Sequence, residues 1–123
     1  MVDKPSDCPD ELWVAICEFW PESEWENAAN IARLESGFDA FAIDDTATAA
    51  GGCGVEIGQR DGIRVTSERS VGYFQINSCN YPGWEWQRFY NARHNAGTAH
   101  ALWDGAAGSW RPWYFSARKL GLI

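Results

Sequence analysis

The chain has 123 residues, which is enough for one domain with a hydrophobic core and too few for two independent ones. It is 46% hydrophobic and 22% charged, as ordinary globular proteins are, and its net charge is -7. An acidic chain is a poor partner for nucleic acid, so nucleic-acid binding is excluded as a first interpretation.

The first apolar segment, residues 10–20, predicts a core-facing helix. Leu12 and Ile16 have helical spacing, and Pro21 ends the pattern. The segment is too short, and too interrupted by Glu18, to cross a bilayer, so we expect no membrane insertion. No basic segment followed by an apolar run precedes it, so a signal peptide is not predicted.

A second helix is predicted from Ser23 to Ser36. Ser23 and Glu26 form the Ser-x-x-Glu pattern of a capping box, and Gly37 is the residue type that takes a left-handed turn after a helix. Glu35 lies in the last turn, where the helical period puts it on one face with three apolar residues. These are Ala28, Ile31 and Ala32.

Glu35 is therefore expected to point partly into apolar surroundings, where two effects favour its protonated form. Desolvation destabilises the charged carboxylate, and so does the partial negative charge at a helix C-terminus. A carboxyl group that keeps its proton near neutral pH can act as a general acid. The alternative is an ordinary solvated Glu near a helix end.

The middle of the chain predicts a small sheet. Residues 38–54 are rich in Ala, Thr, Asp and Gly and are predicted to be a loop. Residues 55–66 alternate apolar and polar side chains around Asp61-Gly62, which is typical of a β-hairpin. Residues 70–77 are predicted as a third extended segment, and residues 81–83, Tyr-Pro-Gly, as a turn.

Two more helical patterns follow the sheet. One runs from Ala92 to Trp103 and ends at Gly105, and the other covers residues 113–120 and ends at Gly121. Two helices, a small antiparallel sheet and further helices favour a single α+β domain over residues 1–123, mainly helical, with a cleft between sheet and helices.

The four cysteines, at positions 8, 17, 53 and 79, allow three pairings. Pairing Cys8 with Cys17 requires Cys8 to precede the helix, because residues nine apart in one helix are too distant to bridge. We favour a disulfide between Cys53 and Cys79. An even number of cysteines favours an oxidising or extracellular destination. Without a CxxC unit, and with two histidines, the sequence predicts no metal site, and we expect no cofactor.

Four segments occur in the order and approximate spacing of a known family. They are Glu35-Ser36-Gly37-Phe38, Ser70-Val71-Gly72-Tyr73-Phe74-Gln75-Ile76-Asn77, Tyr90-Asn91-Ala92-Arg93-His94-Asn95-Ala96 and Gly108-Ser109-Trp110-Arg111-Pro112-Trp113. Together they resemble lysozyme-like domains, and most closely the soluble lytic transglycosylase domains carried by bacteriophages. The resemblance covers residues 23–113.

The resemblance implies cleavage of the β-1,4 bond between N-acetylmuramic acid and N-acetylglucosamine in peptidoglycan. Glu35 takes the acid/base role, and Ser70 matches a family serine on the strand that faces this acid. Asn95 matches a helix-capping position, and Trp110 would pack beside Glu35 with Trp113 behind it, although plain core is the alternative for both rings. The residues expected to bind substrate are Tyr73, Gln75, Asn77, Asn95 and Trp110.

The departure from the family concerns a second carboxylate. Animal lysozymes have an Asp at the position of Ser70, whereas a lytic transglycosylase needs one acid, because the sugar's own 6-hydroxyl closes an anhydro ring. Glu68 is two residues before Ser70, about 6.6 Å along the same strand face, and would suit an inverting hydrolase. Asp44 and Asp45 are looser candidates on a loop, where surface solvation is the alternative.

The sequence thus predicts a lytic transglycosylase that uses Glu35, with a hydrolytic muramidase that also uses Glu68 as the alternative. A rival of another class is an inactive cell-wall-binding or structural virion domain, against which the presence of Glu35, Ser70 and Gln75 argues. The expected partner is the peptidoglycan glycan strand, within a larger phage or secreted assembly such as an endolysin. The expected location is extracellular, at the cell wall or on a virion.

Overall fold

The computed structural model describes residues 2–49, 55–60, 62–77 and 83–123, and the side chains of residues 2–44, 62, 70–77 and 87–123. These residues form a mixed helical and antiparallel β structure, so the predicted α+β class is confirmed at that level. In chain order the elements are α1 (Asp10–Phe19), α2 (Glu22–Ser36), β1 (Ile43–Ala49), β2 (Val55–Arg60), β3 (Ile63–Val71), β4 (Ile76–Asn77), a 3₁₀ helix (Gly83–Tyr90), α3 (Ala92–Gly105), a 3₁₀ turn (Arg111–Trp113) and α4 (Tyr114–Lys119).

The two N-terminal helices follow the predicted apolar periodicity, with one correction. α2 begins at Glu22, because Pro21 occupies the N-cap position and no side chain caps the helix. The predicted capping box of Ser23 and Glu26 is therefore wrong, since both residues already lie inside the helix. The predicted stop is confirmed: Gly37 has a left-handed φ of 63° and donates its N–H to the Arg33 carbonyl at 2.8 Å.

None of the helices in the described ranges is both long and apolar enough to cross a membrane. The predicted disulfide between Cys53 and Cys79 lies outside the described residues, as do Asp61 and the first two residues of the predicted turn at 81–83. Cys8 and Cys17 are free thiols.

The sheet confirms the predicted hairpin and corrects two neighbouring predictions. β2 and β3 pair antiparallel, β1 lies along the other edge of β3, and β4 pairs with the end of β3. Residues 43–49 were expected in a loop but form β1. Residues 70–77 are not one extended segment, because β3 ends at Val71 and a four-residue turn leads into β4.

The core lies between the helices and the face of the sheet that carries Val71 and Ile76, which are 0% and 2% exposed. Large aromatic rings fill it: Trp20 packs against Phe74 with ring centroids 5.3 Å apart, and against Trp110 at 5.6 Å. Such buried rings contribute much of the apolar area of a small domain.

Candidate active site

Glu35 lies in the last turn of α2, on the same helix face as three buried apolar residues. Ala28, Ile31 and Ala32 are all 0% exposed, and Glu35 itself is half-buried, so the predicted position of this carboxyl group on the apolar face is confirmed. Its Oε2 accepts a hydrogen bond of 2.6 Å from the Ser116 hydroxyl. That bond fixes the orientation of the carboxyl group relative to α4.

Ser116 is a site residue that the sequence reasoning missed. It lies in α4, is 7% exposed, and is 81 positions from its partner in the chain. Its spacing from Trp113 could have indicated this role. Residues three apart lie on one face of a helix, and Trp113 is buried. A buried hydroxyl must find a partner inside the protein, and here the partner is Glu35.

A depression beside this pair opens onto α4. It has a volume of about 320 Å³ and is lined by Leu34, Phe115, Ser116 and Lys119. Phe115 is 86% exposed, and its ring meets that of Tyr114 edge to face with centroids 5.5 Å apart. Lys119 supplies a cation to this lining, and the Glu35 carboxyl group lies beside it through its hydrogen bond to Ser116. Aromatic rings and cations suit sugar faces and carboxylates respectively.

The segment that joins α2 to β1 holds the end of the Glu35 helix against the sheet. The Ala42 carbonyl accepts from the Gly72 N–H at 2.8 Å and from Gln75 Nε2 at 3.1 Å. Gln75 Nε2 also donates to the Gly72 carbonyl at 3.0 Å. Gln75 thus ties the turn between β3 and β4 to this segment, and its predicted contact with substrate stays a prediction.

Asn95 has a structural role, which corrects its assignment as a substrate-binding and helix-capping residue. It is 0% exposed, its Oδ1 accepts from the Phe74 N–H at 2.9 Å, and its Nδ2 donates to the carbonyls of Val71 at 2.9 Å and Phe89 at 3.0 Å. Its polar atoms are therefore used within the protein. The residue that caps α3 is Asn91, whose side chain accepts from two backbone N–H groups.

Gly72 explains why the turn can approach Asn95 so closely. Its φ is +74°, and a Cβ at this position would lie 2.4 Å from both Asn95 Nδ2 and the Phe89 carbonyl oxygen. A left-handed backbone and this lack of space both require glycine. The presence of glycine at position 72, within the segment 70–77, is thus explained by packing.

Tyr73 and Trp110 are core residues, so their assignment to substrate binding is wrong. Tyr73 is 2% exposed and its hydroxyl donates to Glu11 Oε1, while burial, followed by that hydrogen bond, raises its pKa above the usual range. Trp110 is 4% exposed, and its Nε1 donates at 2.9 Å to Glu24. Glu24 is eleven residues before Glu35, about 16 Å along α2, so the polar edge of this indole is directed away from the acid.

The turn between β3 and β4 brings Ser70 and Asn77 together, and Asp44 lies on the other side of Ser70. Ser70 on β3 is paired with Asn77 on β4 and with Asp44 on β1. Paired residues of antiparallel strands project from the same face, so these three side chains form a row that we call the polar row. Asp44 and Asn77 are exposed and Ser70 is half-buried, so the row lies on the face opposite the core. Glu68 lies on β3, and its side chain is outside the described part of the structure.

No group of three or more His, Cys, Asp or Glu side chains that could hold a metal ion occurs within the described ranges. The chain was also compared with known proteins. No protein-family model, no curated protein and no solved structure matches it. The resemblance to lysozyme-like domains therefore stays a prediction from four sequence segments.

Proposed function

We propose that this domain cleaves peptidoglycan glycan strands at the β-1,4 bond between N-acetylmuramic acid and N-acetylglucosamine, as a lytic transglycosylase with Glu35 as its acid and base. The observation that carries the proposal is the half-buried Glu35 carboxyl group, oriented by Ser116 through a 2.6 Å hydrogen bond at the end of a helix. The order of the four motif segments supports the same assignment.

In the first step, Glu35 gives its proton to the glycosidic oxygen as the bond from that oxygen to C1 of the muramic acid breaks. The bonding electron pair leaves with the oxygen, and positive charge develops at C1. In the second step, the 6-hydroxyl of the same sugar attacks C1 and its proton passes to the Glu35 carboxylate. The products are a 1,6-anhydro sugar and a free 4-hydroxyl, with no net change at the enzyme.

The α4 surface supports binding of a glycan beside Glu35. Phe115 offers an exposed ring to an apolar sugar face, and Lys119 offers a cation to the carboxylates of a peptide-bearing strand. A cation at this position would favour contact between a chain of net charge -7 and an anionic polymer.

Hydrolysis by a muramidase mechanism is the second candidate function. It needs a second carboxylate that acts on the other side of the scissile bond, and Glu68 is the residue that the sequence suggests. The position of Asp44 in the polar row, directly across from Ser70, also favours a two-carboxylate site.

Digestion of purified peptidoglycan, followed by mass spectrometry of the soluble products, tests the proposal. We expect 1,6-anhydro muropeptides from the wild-type protein and from Glu26→Gln, which removes an exposed carboxylate from the same helix. Glu35→Gln should release none. Reducing-end products from the wild type would instead support the hydrolase. Absence of products with retained binding to the polymer would indicate an inactive wall-binding or virion domain.

A further inference from the structure

We propose that the depression beside Glu35 binds the short peptide carried by N-acetylmuramic acid, so that the domain prefers peptide-bearing strands to strands stripped of their peptides. This depression is the one lined by Leu34, Phe115, Ser116 and Lys119. The inference rests on the proposed function of Glu35 and deepens it. It names the part of the polymer that is recognised, and it assigns Lys119 as the residue that determines this specificity.

The depression is joined to Glu35 by a direct contact. Ser116 lines it, and the Ser116 hydroxyl donates to Glu35 Oε2 at 2.6 Å. Leu34, which also lines it, immediately precedes Glu35 in α2. A general acid must lie within hydrogen-bond reach of the oxygen that it protonates. The depression is therefore next to the muramic acid whose bond to that oxygen breaks, and the peptide leaves this sugar from an oxygen on C3, close to C1.

Lys119 brings to the depression a positive charge that the described part of the protein does not pair. Three other cations, Lys4, Arg33 and Arg93, lie in ion pairs with nearby carboxylates. Among the described residues, Lys119 has neither an ion-pair nor a hydrogen-bond partner, although the chain has 17 acidic residues against 10 basic ones. Its ammonium group is therefore available to a carboxylate of the substrate, and the peptides of peptidoglycan carry free carboxylates.

The apolar part of the lining distinguishes between two sources of that carboxylate. A strand stripped of its peptides still carries a lactyl carboxylate on each muramic acid, but this group has a single methyl. Leu34 is 42% exposed and Phe115 is 86% exposed, and both border a space of about 320 Å³. That volume is at the lower end for ligand pockets and suits a short peptide segment. Alanine methyls of the peptide would cover more of this apolar surface than a lactyl group can, which favours the peptide.

Arg118 provides the matched control for Lys119. It is the preceding residue, it is also exposed, and both cations lie in the last turn of α4, where a positive charge interacts favourably with the helix C-terminus. Arg118 is not among the residues that line the depression. Removing its charge therefore reproduces the effect of a Lys119 substitution on the helix and leaves the depression unchanged.

Binding to two soluble preparations of one peptidoglycan tests the inference: strands that keep their peptides, and strands from which an amidase has removed them. Glu35→Gln is the background for every measurement, because it prevents cleavage and its amide oxygen still accepts the bond from Ser116. We expect this protein to bind peptide-bearing strands about tenfold more tightly, the effect of one charge-assisted hydrogen bond. Adding Lys119→Met should abolish the preference. Lys119→Arg should keep most of it, and Arg118→Met should keep all of it.

Equal affinity of Glu35→Gln for the two preparations would overturn the inference. So would an equal loss of affinity for both on adding Lys119→Met, because Lys119 would then contact the lactyl group or the glycan itself. A dimer in sedimentation that Lys119→Met dissociates would assign the depression to a second copy of the chain, and would also overturn it. None of these results depends on turnover, so a wild-type protein that releases no muropeptide would contradict the proposed function alone.

Discussion

The Ser116 hydroxyl donates a hydrogen bond of 2.6 Å to Glu35 Oε2, although the two residues are 81 positions apart in the chain. The bond joins the last turn of α2 to α4 and holds one oxygen of the carboxyl group. Orientation of a general acid matters because proton transfer requires the donor within hydrogen-bond reach of the acceptor.

Ser116→Ala should therefore lower kcat about tenfold, which corresponds to loss of about 1.4 kcal/mol from one hydrogen bond to an ionisable group. KM should change little, because Ser116 is predicted to orient the acid and not to bind the glycan. Ser116→Thr keeps the hydroxyl and should retain most of the rate. Equal losses in both variants would indicate a packing effect instead.

Phe115→Ala should weaken glycan binding about fivefold with little change in kcat, because loss of one aromatic contact is worth about 1 kcal/mol. Val14→Ala is the matched control, since Val14 is also an exposed apolar residue and lies on α1. Binding isotherms with soluble glycan fragments measure the effect. Identical glycan affinities of the two variants would show that α4 does not contribute to the glycan-binding surface.

Asn95→Ala should destabilise the fold by about 3 kcal/mol or more. It leaves the Phe74 N–H and the carbonyls of Val71 and Phe89 without their buried partner, and each such group is costly. Denaturant unfolding measures the change. An unchanged unfolding midpoint combined with lost activity would contradict the structural role and return Asn95 to substrate binding.

Stability at alkaline pH should depend on Tyr73. Burial and the hydrogen bond to Glu11 raise the pKa of Tyr73 above its ordinary value of 10.0, so the folded state holds this proton more tightly than the unfolded chain. The resulting stabilisation is complete below about pH 10 and is lost as the pH rises further. Tyr73→Phe should flatten the fall in the free energy of unfolding between about pH 10 and 12. A slope in Tyr73→Phe equal to that of the wild type would contradict the argument.

Local features of the sequence predicted most of the helical structure and the environment of Glu35. The apolar period of α2 and the glycine at its end are contained within one helix, so they could be read without knowledge of the rest of the fold. The start of α2 was missed because Pro21 takes the N-cap position, where Ser23 had seemed the better capping residue. Element ends depend on such small differences.

Long-range contacts account for what the sequence did not predict. Residues 43–49 contain Ala and Asp, which are uncommon in strands, and they form β1 by pairing with β3. Because this pairing is not evident in the sequence, the sequence analysis predicted a loop at Asp44. In the same way, the residue types at Tyr73, Asn95 and Trp110 suited a binding cleft, and only their burial assigns them to the core.

The measurement that tests the central claim most directly is the mass of the products released from purified peptidoglycan by the wild-type protein and by folded Glu35→Gln. Our account predicts 1,6-anhydro muropeptides from the wild type and no release from the variant. Equal release by the two proteins, or no release by either, would contradict the assignment of Glu35 as the acid that cleaves the glycan strand.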